Sequence, residues 1–275
     1  MATAIAHAAT AAPLAALLPA RRRKPWTVGP AQYCIRASAP MSRITDGRRT
    51  LIVVEQAGLL EVFVDAPDEF AVTPVAVVDA TGPDPVAALA ARLLRTVLPQ
   101  LDTTAGHRTY WEKGHKAAHA GQAADLLELG YALIDHGAHP QTTHRIDGPA
   151  LTWTTTAGAH CDVMAYGAHG TYTLTYEGPL CGLYGLLPLL LPPYDGPALP
   201  DVTSGFTYHL TKRFPQLRTA QDCELDFGTQ GEPYGFITTP SEDTPTDRVN
   251  DTTPVVAQIG HLGTDLLLTA APHLI

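Results

Sequence analysis

The stretch GTYTLTYEG, at positions 170–178, decides the fold class that we expect for this 275-residue chain. Tyrosine and leucine at positions 172, 174 and 176 alternate with threonine at 171, 173 and 175. Successive side chains of a strand point to opposite faces of a sheet, so this period of two predicts a strand with one buried and one solvated face. Antiparallel sheets commonly have this arrangement, whereas parallel sheets are usually covered on both faces.

Other strands are predicted from runs of β-branched residues that are bounded by turn residues. TLIVVEQ begins a three-stranded antiparallel meander at Thr50, and PALTWTTT and HCDVMAY precede the quoted stretch. Four further strands are predicted in the last quarter of the chain, at CELDF, YGFITT, VVAQIGHL and DLLLTA.

Helical periodicity appears between these strand series. Asp84 is a predicted N-cap, with Pro85 at the first helical position. A second region, from about Tyr110 to His136, is an amphipathic helix with an apolar face, and a third runs from Asp201 to about Phe214. In the second region the apolar face is formed by Leu127, Tyr131 and Ile134.

The element order is therefore βββα(α), βββ, αββββ. It lacks regular β-α-β alternation, so we expect an α+β protein in which antiparallel β-meanders pack with amphipathic helices.

The domain prediction has four parts. Residues 1–40 are predicted to be a disordered or mis-assigned N-terminal extension, with Met41 as the alternative start. Residues 41–178 form an α+β domain, and 179–200 a connector rich in proline and glycine. Residues 201–275 form a C-terminal αββββ segment, either separate or packed on the same core, in which a polar loop at 241–254 is expected to be mobile.

The N-terminal expectation rests on charge order. Residues 1–40 contain no acid, and the basic run RRRK at positions 21–24 follows an alanine-rich opening. A secretory signal places its positive charge before the apolar stretch, so this order does not fit export.

Charge and hydropathy limit the partners. Residues 41–275 contain 13 Lys and Arg against 27 Asp and Glu, a net charge of −14. This acidity argues against nucleic-acid binding through a basic face. The acidic surface either keeps the protein soluble or binds a basic protein partner. No apolar run approaches the ~20 residues that span a bilayer, so we expect a soluble protein and no membrane partner.

The cysteines indicate the compartment. Cys34, Cys161, Cys181 and Cys223 show no C-x-x-C spacing, which argues against a disulfide framework and a thiolate zinc site. We expect a cytoplasmic protein. Fourteen arginines against four lysines, with a single asparagine, further suggest a bacterial genome rich in GC.

The stretch EKGHKAAHAG, at positions 112–121, is the strongest candidate site. On an unbroken helix, Glu112, His115 and His119 lie within about 60° of one another. Imidazole and carboxylate bind Zn, Mn or Fe. Gly114 and Lys116 argue against such a site, so the alternative is a polar helix entry with ordinary hydrogen bonds.

The sequence does not predict that the other histidines lie together in one site. The triplet Gly-Ala-His ends at His139, His160 and His169, but the last two would lie ~20 Å apart along one strand. The triplets HRT, HGT and HLT, at His107, His169 and His209, superficially resemble the paired H-x-T motif of two-histidine phosphoesterases. Three such triplets are weak evidence in a chain rich in histidine and threonine.

The sequence contains no G-x-S-x-G, P-loop, G-x-G-x-x-G or H-E-x-x-H motif. We therefore expect a non-catalytic protein-interaction module that works through an acidic surface or an exposed sheet edge. The alternative is a histidine-dependent, metal-binding hydrolase with Glu112, His115 and His119 as ligands and Asp125 or Asp135 as the base. No cofactor is expected other than that divalent metal.

Overall fold

The computed structural model describes residues 7–32, 35–36, 39–65, 73–146, 148–165, 167, 170–194, 196, 205–221, 224–229, 231–239 and 249–275. The chain divides into two compact units, Met1–Leu101 and Asp102–Ile275. It is 36% helical and 32% strand, and its sheets are antiparallel, which confirms the α+β class. The predicted element order is matched only loosely.

The first unit contains a five-stranded meander in sequential order. Its strands are β1 (Thr27–Pro30), β2 (Met41–Thr45), β3 (Thr50–Gln56), β4 (Leu59–Val64) and β5 (Ala76–Asp79). Its helices are α1 (Ala11–Leu17) and α2 (Pro85–Arg92). Helix α2 continues through a π-helical turn (Leu93–Val97) into α3 (Leu98–Lys113), which extends beyond Leu101 into the second unit.

The core of this unit includes Met41, Ile52, Val54 and Phe63, all of them buried on one side of the meander. The predicted helix start is confirmed, because the carboxylate of Asp84 accepts a hydrogen bond of 3.0 Å from the backbone N–H of Ala87.

The described part of residues 1–40 contains a helix and a strand. The alanine-rich opening forms α1, in which Leu14 is fully buried. The side chain of Glu55 accepts two hydrogen bonds of 2.7 Å from the backbone and the hydroxyl of Thr10. Strand β1 pairs with β2, with Val28 opposite Ile44. Short apolar side chains at helical spacing therefore bury a face in a segment whose composition alone suggested a tail.

The second unit is built on an eight-stranded sheet. Its strands are β6 (Gln141–Arg145), β7 (Gly148–Thr154), β8 (His160–Ala165), β9 (Tyr172–Pro179), β10 (Arg218–Gln221), β11 (Glu224–Phe227), β12 (Tyr234–Thr238) and β13 (Pro254–Leu262). Its helices after α3 are α4 (His115–Asp135), α5 (Leu187–Leu190), α6 (Gly205–Arg213) and α7 (Thr264–Ala270), with 3₁₀ turns at Leu180–Leu183 and Ala271–His273. The sheet order is β10-β11-β12-β13-β9-β8-β7-β6.

Strand β9, which contains the alternating stretch, lies near the middle of this sheet. It pairs with β8 on one side and with β13 on the other, with Leu174 opposite both Val163 and Ile259. Residues on both sides of the predicted connector therefore share one sheet. The connector also packs, because its leucines 180, 183, 186, 187, 190 and 191 are buried.

Two local predictions were wrong. DLLLTA is not a strand but helix α7, whose Leu266, Leu267 and Ala270 are buried. A short apolar run has no periodicity that separates a strand from a buried helix. In α4 the buried residues include Leu126, Leu129 and Leu133, whereas the predicted apolar face lies in solvent. The predicted cap Asp201 and positions 241–248 of the predicted loop lie outside the described residues.

Candidate functional site

The eight-stranded sheet has one buried face and one face in contact with solvent. On the buried face, cross-strand neighbours such as Ile237, Ala257 and Tyr176 are inaccessible. On the solvent face, one register row crosses all eight strands, and each member whose side chain is described is exposed or half-buried. The row is Arg218, Asp226, Phe236, Gln258, Thr175, Asp162, Thr152 and Gln141. The alternation predicted for positions 172–176 is thus confirmed.

A groove of about 730 Å³ lies on this solvent face. We call it the sheet groove. Aromatic, charged and amide side chains from neighbouring strands line it together, namely Arg218, Glu224, Asp226, Tyr234, Phe236 and Gln258. A few polar groups beside aromatic surface are typical of a ligand-binding concavity.

Glycines give the sheet groove its flat floor. Tyr234 pairs with Gly260 on the next strand, and a Cβ at Gly260 would lie 3.0 Å from the tyrosine ring. A Cβ at Gly235 would collide with the backbone oxygen of Gln258. The absence of a side chain at Gly260 lets the tyrosine ring lie against the sheet, while 51% of Tyr234 remains exposed.

The charges in the sheet groove are unequal. The Arg218 guanidinium donates from Nε to Asp226 Oδ1 at 3.0 Å and from Nη2 to the Gly228 carbonyl at 3.2 Å. Glu224 is half-buried, and its carboxylate has no hydrogen bond or ion pair with any residue in the described ranges. The guanidinium of Arg218 is therefore committed to Asp226 and not to Glu224.

A second polar cluster joins three distant segments of the same unit. The Tyr184 hydroxyl lies 2.8 Å from Asp251 Oδ1 and 2.9 Å from His209 Nε2. A carboxylate only accepts, so the tyrosine proton points to Asp251 and His209 Nε2 must donate to the tyrosine oxygen. The neutral imidazole therefore carries its proton on Nε2, and Nδ1 keeps a lone pair.

Two features of this cluster set its chemistry. The Arg213 guanidinium carbon lies 3.9 Å from the centre of the Tyr184 ring. Burial, followed by the hydrogen bond to Asp251, raises the pKa of Tyr184 to about 12, so the phenol stays protonated at neutral pH. The cluster holds one histidine ring through a hydrogen bond at Nε2. Sequence reasoning missed it, because Tyr184 lies 25 positions from His209 and 67 from Asp251.

The predicted metal ligands are not held on one helix. Gly114 has φ +82° and separates α3, which contains Glu112, from α4, which begins at His115. The rings of His115 and His119 remain in contact, with centroids 3.9 Å apart. No group of three or more His, Cys, Asp or Glu side chains in the described ranges is arranged to hold a metal ion.

His119 has an unusual environment. Its Nε2 atom is buried and has no hydrogen-bond partner among the residues that the structure describes. Burial, with additional repulsion from His115 and His144, lowers the pKa of His119 below its ordinary value. The neutral ring is therefore favoured in the folded state.

The remaining histidines of the sequence analysis are dispersed. His107 lies in α3, His139 follows α4, His160 begins β8, and His169 is outside the described residues. The two candidate bases, Asp125 and Asp135, both lie in α4. Asp125 Oδ2 is 3.4 Å from the hydroxyls of Tyr172 and Thr264, and Asp135 is the exposed last residue of α4.

The chain matches no protein-family model, no curated protein and no solved structure. None of the helices within the described ranges is both long and apolar enough to cross a membrane.

Proposed function

We propose that this chain is a non-catalytic protein-interaction module, and that its second unit binds a basic segment of another protein in the sheet groove. The observation that carries the proposal is the sheet groove itself, whose lining includes the exposed ring of Tyr234, the half-buried ring of Phe236 and the carboxylate of Glu224, which has no partner among the described residues.

The chemistry of the groove favours a cationic side chain. An ammonium or guanidinium group over an aromatic face gains about 0.5–2 kcal/mol, depending on how far it is desolvated. The exposed ring of Tyr234 offers such a face, and Glu224 offers a charged acceptor elsewhere in the lining of the same groove. Hydrogen bonds from an arginine to a carboxylate add directionality.

The long-range charge acts in the same direction. Residues 102–275 contain 8 Lys and Arg against 19 Asp and Glu, a net charge of −11. Such a field attracts basic partners and repels acidic ones, and added salt weakens both effects.

Fluorescence anisotropy with labelled peptides of basic, neutral and acidic composition tests this proposal. We expect the full chain to bind the basic peptides, with an affinity that falls as salt is added. Glu224→Gln and Tyr234→Ala are each expected to weaken binding by about 5- to 10-fold, which corresponds to about 1–1.4 kcal/mol.

Two substitutions serve as matched controls. Glu177→Gln removes an exposed carboxylate from the same sheet face outside the groove lining, and Tyr208→Ala removes an exposed tyrosine from α6. Equal losses in the controls and in the groove variants would refute the groove as the binding site. Equal affinity for all three peptide classes would refute the basic partner.

The metal-dependent hydrolase remains the alternative, supported by the contact between His115 and His119. Elemental analysis of untagged protein tests it directly. Stoichiometric Zn, Mn or Fe that is lost in a His119→Ala variant would support this alternative, and metal-free protein with unchanged thermal stability in chelator would end it.

A further inference from the structure

Helix α4 has an apolar stripe on the side that faces solvent. Leu127, Tyr131 and Ile134 are 48%, 60% and 52% exposed, which is unusual for large apolar residues on one helix. Towards the start of the helix the stripe continues with Ala117, which is half-buried, and with exposed alanines at positions 120 and 124.

The spacing of this stripe is that of a coiled-coil seam. Its six positions are 117, 120, 124, 127, 131 and 134, with intervals of three and four residues in alternation. Apolar residues at such intervals form a continuous strip along one side of a helix, and a second helix is the usual surface that covers it. The buried face of α4, with Leu126, Leu129 and Leu133, already packs within the unit.

Side-chain size changes along the stripe. The first three positions are alanines and the last three are leucine, tyrosine and isoleucine. A partner that matches this stripe must be large where it is small and small where it is large. The same stripe in the reverse direction satisfies this condition.

We propose that a second copy of this chain packs its α4 antiparallel against this stripe, around a twofold axis that passes between positions 125 and 126. In that register Ala117 faces Ile134 of the second copy, Ala120 faces Tyr131, and Ala124 faces Leu127. Each large side chain enters the space above an alanine, as knobs enter holes in a coiled coil. The contact uses one surface on both copies, which is the requirement for a closed twofold dimer.

Charge favours the same direction. Lys116 lies in the first turn of α4 and Asp135 lies at its end, and both are exposed. An antiparallel pair sets the basic end of one helix beside the acidic end of the other, with helix dipoles opposed. A parallel pair brings like charges together and leaves a gap between facing alanines.

Sedimentation velocity of the full chain over a wide concentration range tests the proposal. We expect a monomer–dimer equilibrium, and Leu127→Glu is expected to raise the dimer dissociation constant at least 10-fold. Leu17→Glu is the matched control, since Leu17 is also 48% exposed and lies on helix α1. A wild-type chain that stays monomeric, or a dimer that tolerates Leu127→Glu, would overturn the proposal.

A size swap tests the antiparallel register. Ala120→Tyr places two tyrosines in one layer and is expected to weaken dimerisation. Adding Tyr131→Ala exchanges the sizes within that layer and is expected to restore it, because positions 120 and 131 face each other only in the proposed register. A double variant as weak as the single one would refute this register, and circular dichroism would confirm that both variants stay folded.

Discussion

The two compact units differ sharply in charge. Residues 1–101 contain 10 Lys and Arg against 8 Asp and Glu, a net charge of +2, whereas residues 102–275 have a net charge of −11. Most of the net charge of −14 on residues 41–275, namely −11, therefore belongs to the unit that contains the sheet groove. A basic partner should be sought on that unit.

The units also differ in how far their ion pairs are exposed to solvent. In the first unit, Asp46 and Arg49 form a pair of 2.7 Å whose side chains are 1% and 10% exposed. In the second unit, the pair of 3.0 Å between Arg218 and Asp226 is largely in solvent. Because the two pairs differ in exposure, removal of one partner is predicted to lower the free energy of unfolding by different amounts.

The largest expected effect comes from truncation of each core. Phe63→Ala in the first unit is expected to lower the free energy of unfolding by about 3–5 kcal/mol, and Leu174→Ala in the second by about 2–5 kcal/mol. Both side chains are fully buried. Trp26 reports on the first unit and Trp153 on the second, so denaturant unfolding of single-tryptophan variants measures each separately. Equal shifts at both probes for either truncation would show that the units unfold as one.

Removal of one ion-pair partner in each unit is expected to have the next largest effect. Asp46→Ala should cost about 3 kcal/mol, because it leaves a mostly buried guanidinium and two backbone N–H groups without their acceptor. Arg218→Ala should cost less than about 1 kcal/mol, because its pair is exposed. Chemical denaturation of both variants provides the comparison, and equal costs would contradict the assigned difference in burial.

A glycine substitution in each unit separates backbone conformation from crowding. Gly47 and Gly228 have φ of +87° and +79°, so alanine is strained at both. A Cβ at Gly47 meets nothing within 4 Å, whereas a Cβ at Gly228 collides with the backbone of Pro233 and Tyr234. Gly47→Ala should therefore cost about 1 kcal/mol and Gly228→Ala more, of order 2–3 kcal/mol. Thermal melts that rank them in the opposite order would contradict this account.

The smallest expected effect is a difference in pH dependence. Burial lowers the pKa of His119 and His261 in the second unit below 6.5, so stability falls as the pH drops below about 6.5 and the unfolded chain takes up protons. In the first unit, burial alone would raise the pKa of Asp46, but Arg49 and two backbone hydrogen bonds outweigh it and lower the pKa below 3.8. The contribution of the ionised Asp46 carboxylate to the free energy of unfolding is lost only below about pH 3.8.

Unfolding monitored at Trp153 and Trp26 between pH 7.5 and 5 measures this difference. We expect the second unit alone to lose stability through these groups. The double variant His119→Asn, His261→Asn should flatten its profile, and His136→Asn, at an exposed position, is the control. An unchanged profile in the double variant would refute the assignment to these two histidines.

Local patterns predicted part of this structure correctly. The alternation at positions 172–176 and the cap at Asp84 depend on neighbours within a few residues, and both are confirmed. The prediction of a core-facing helix face at Leu127 was wrong, because a helix with two apolar faces buries whichever one the rest of the fold covers. The prediction of a strand at DLLLTA was wrong, because a short apolar run does not distinguish a strand from a buried helix.

The sequence by itself determined the α+β class, the solvated side of β9 and the acidity of the second half of the chain, since these follow from backbone geometry and composition. Only the tertiary structure decided which side chains meet. The sheet groove brings Glu224, Tyr234 and Gln258 together from three strands, and the cluster at Tyr184 joins segments 67 positions apart. Such contacts depend on strand register and chain topology, which no local pattern encodes.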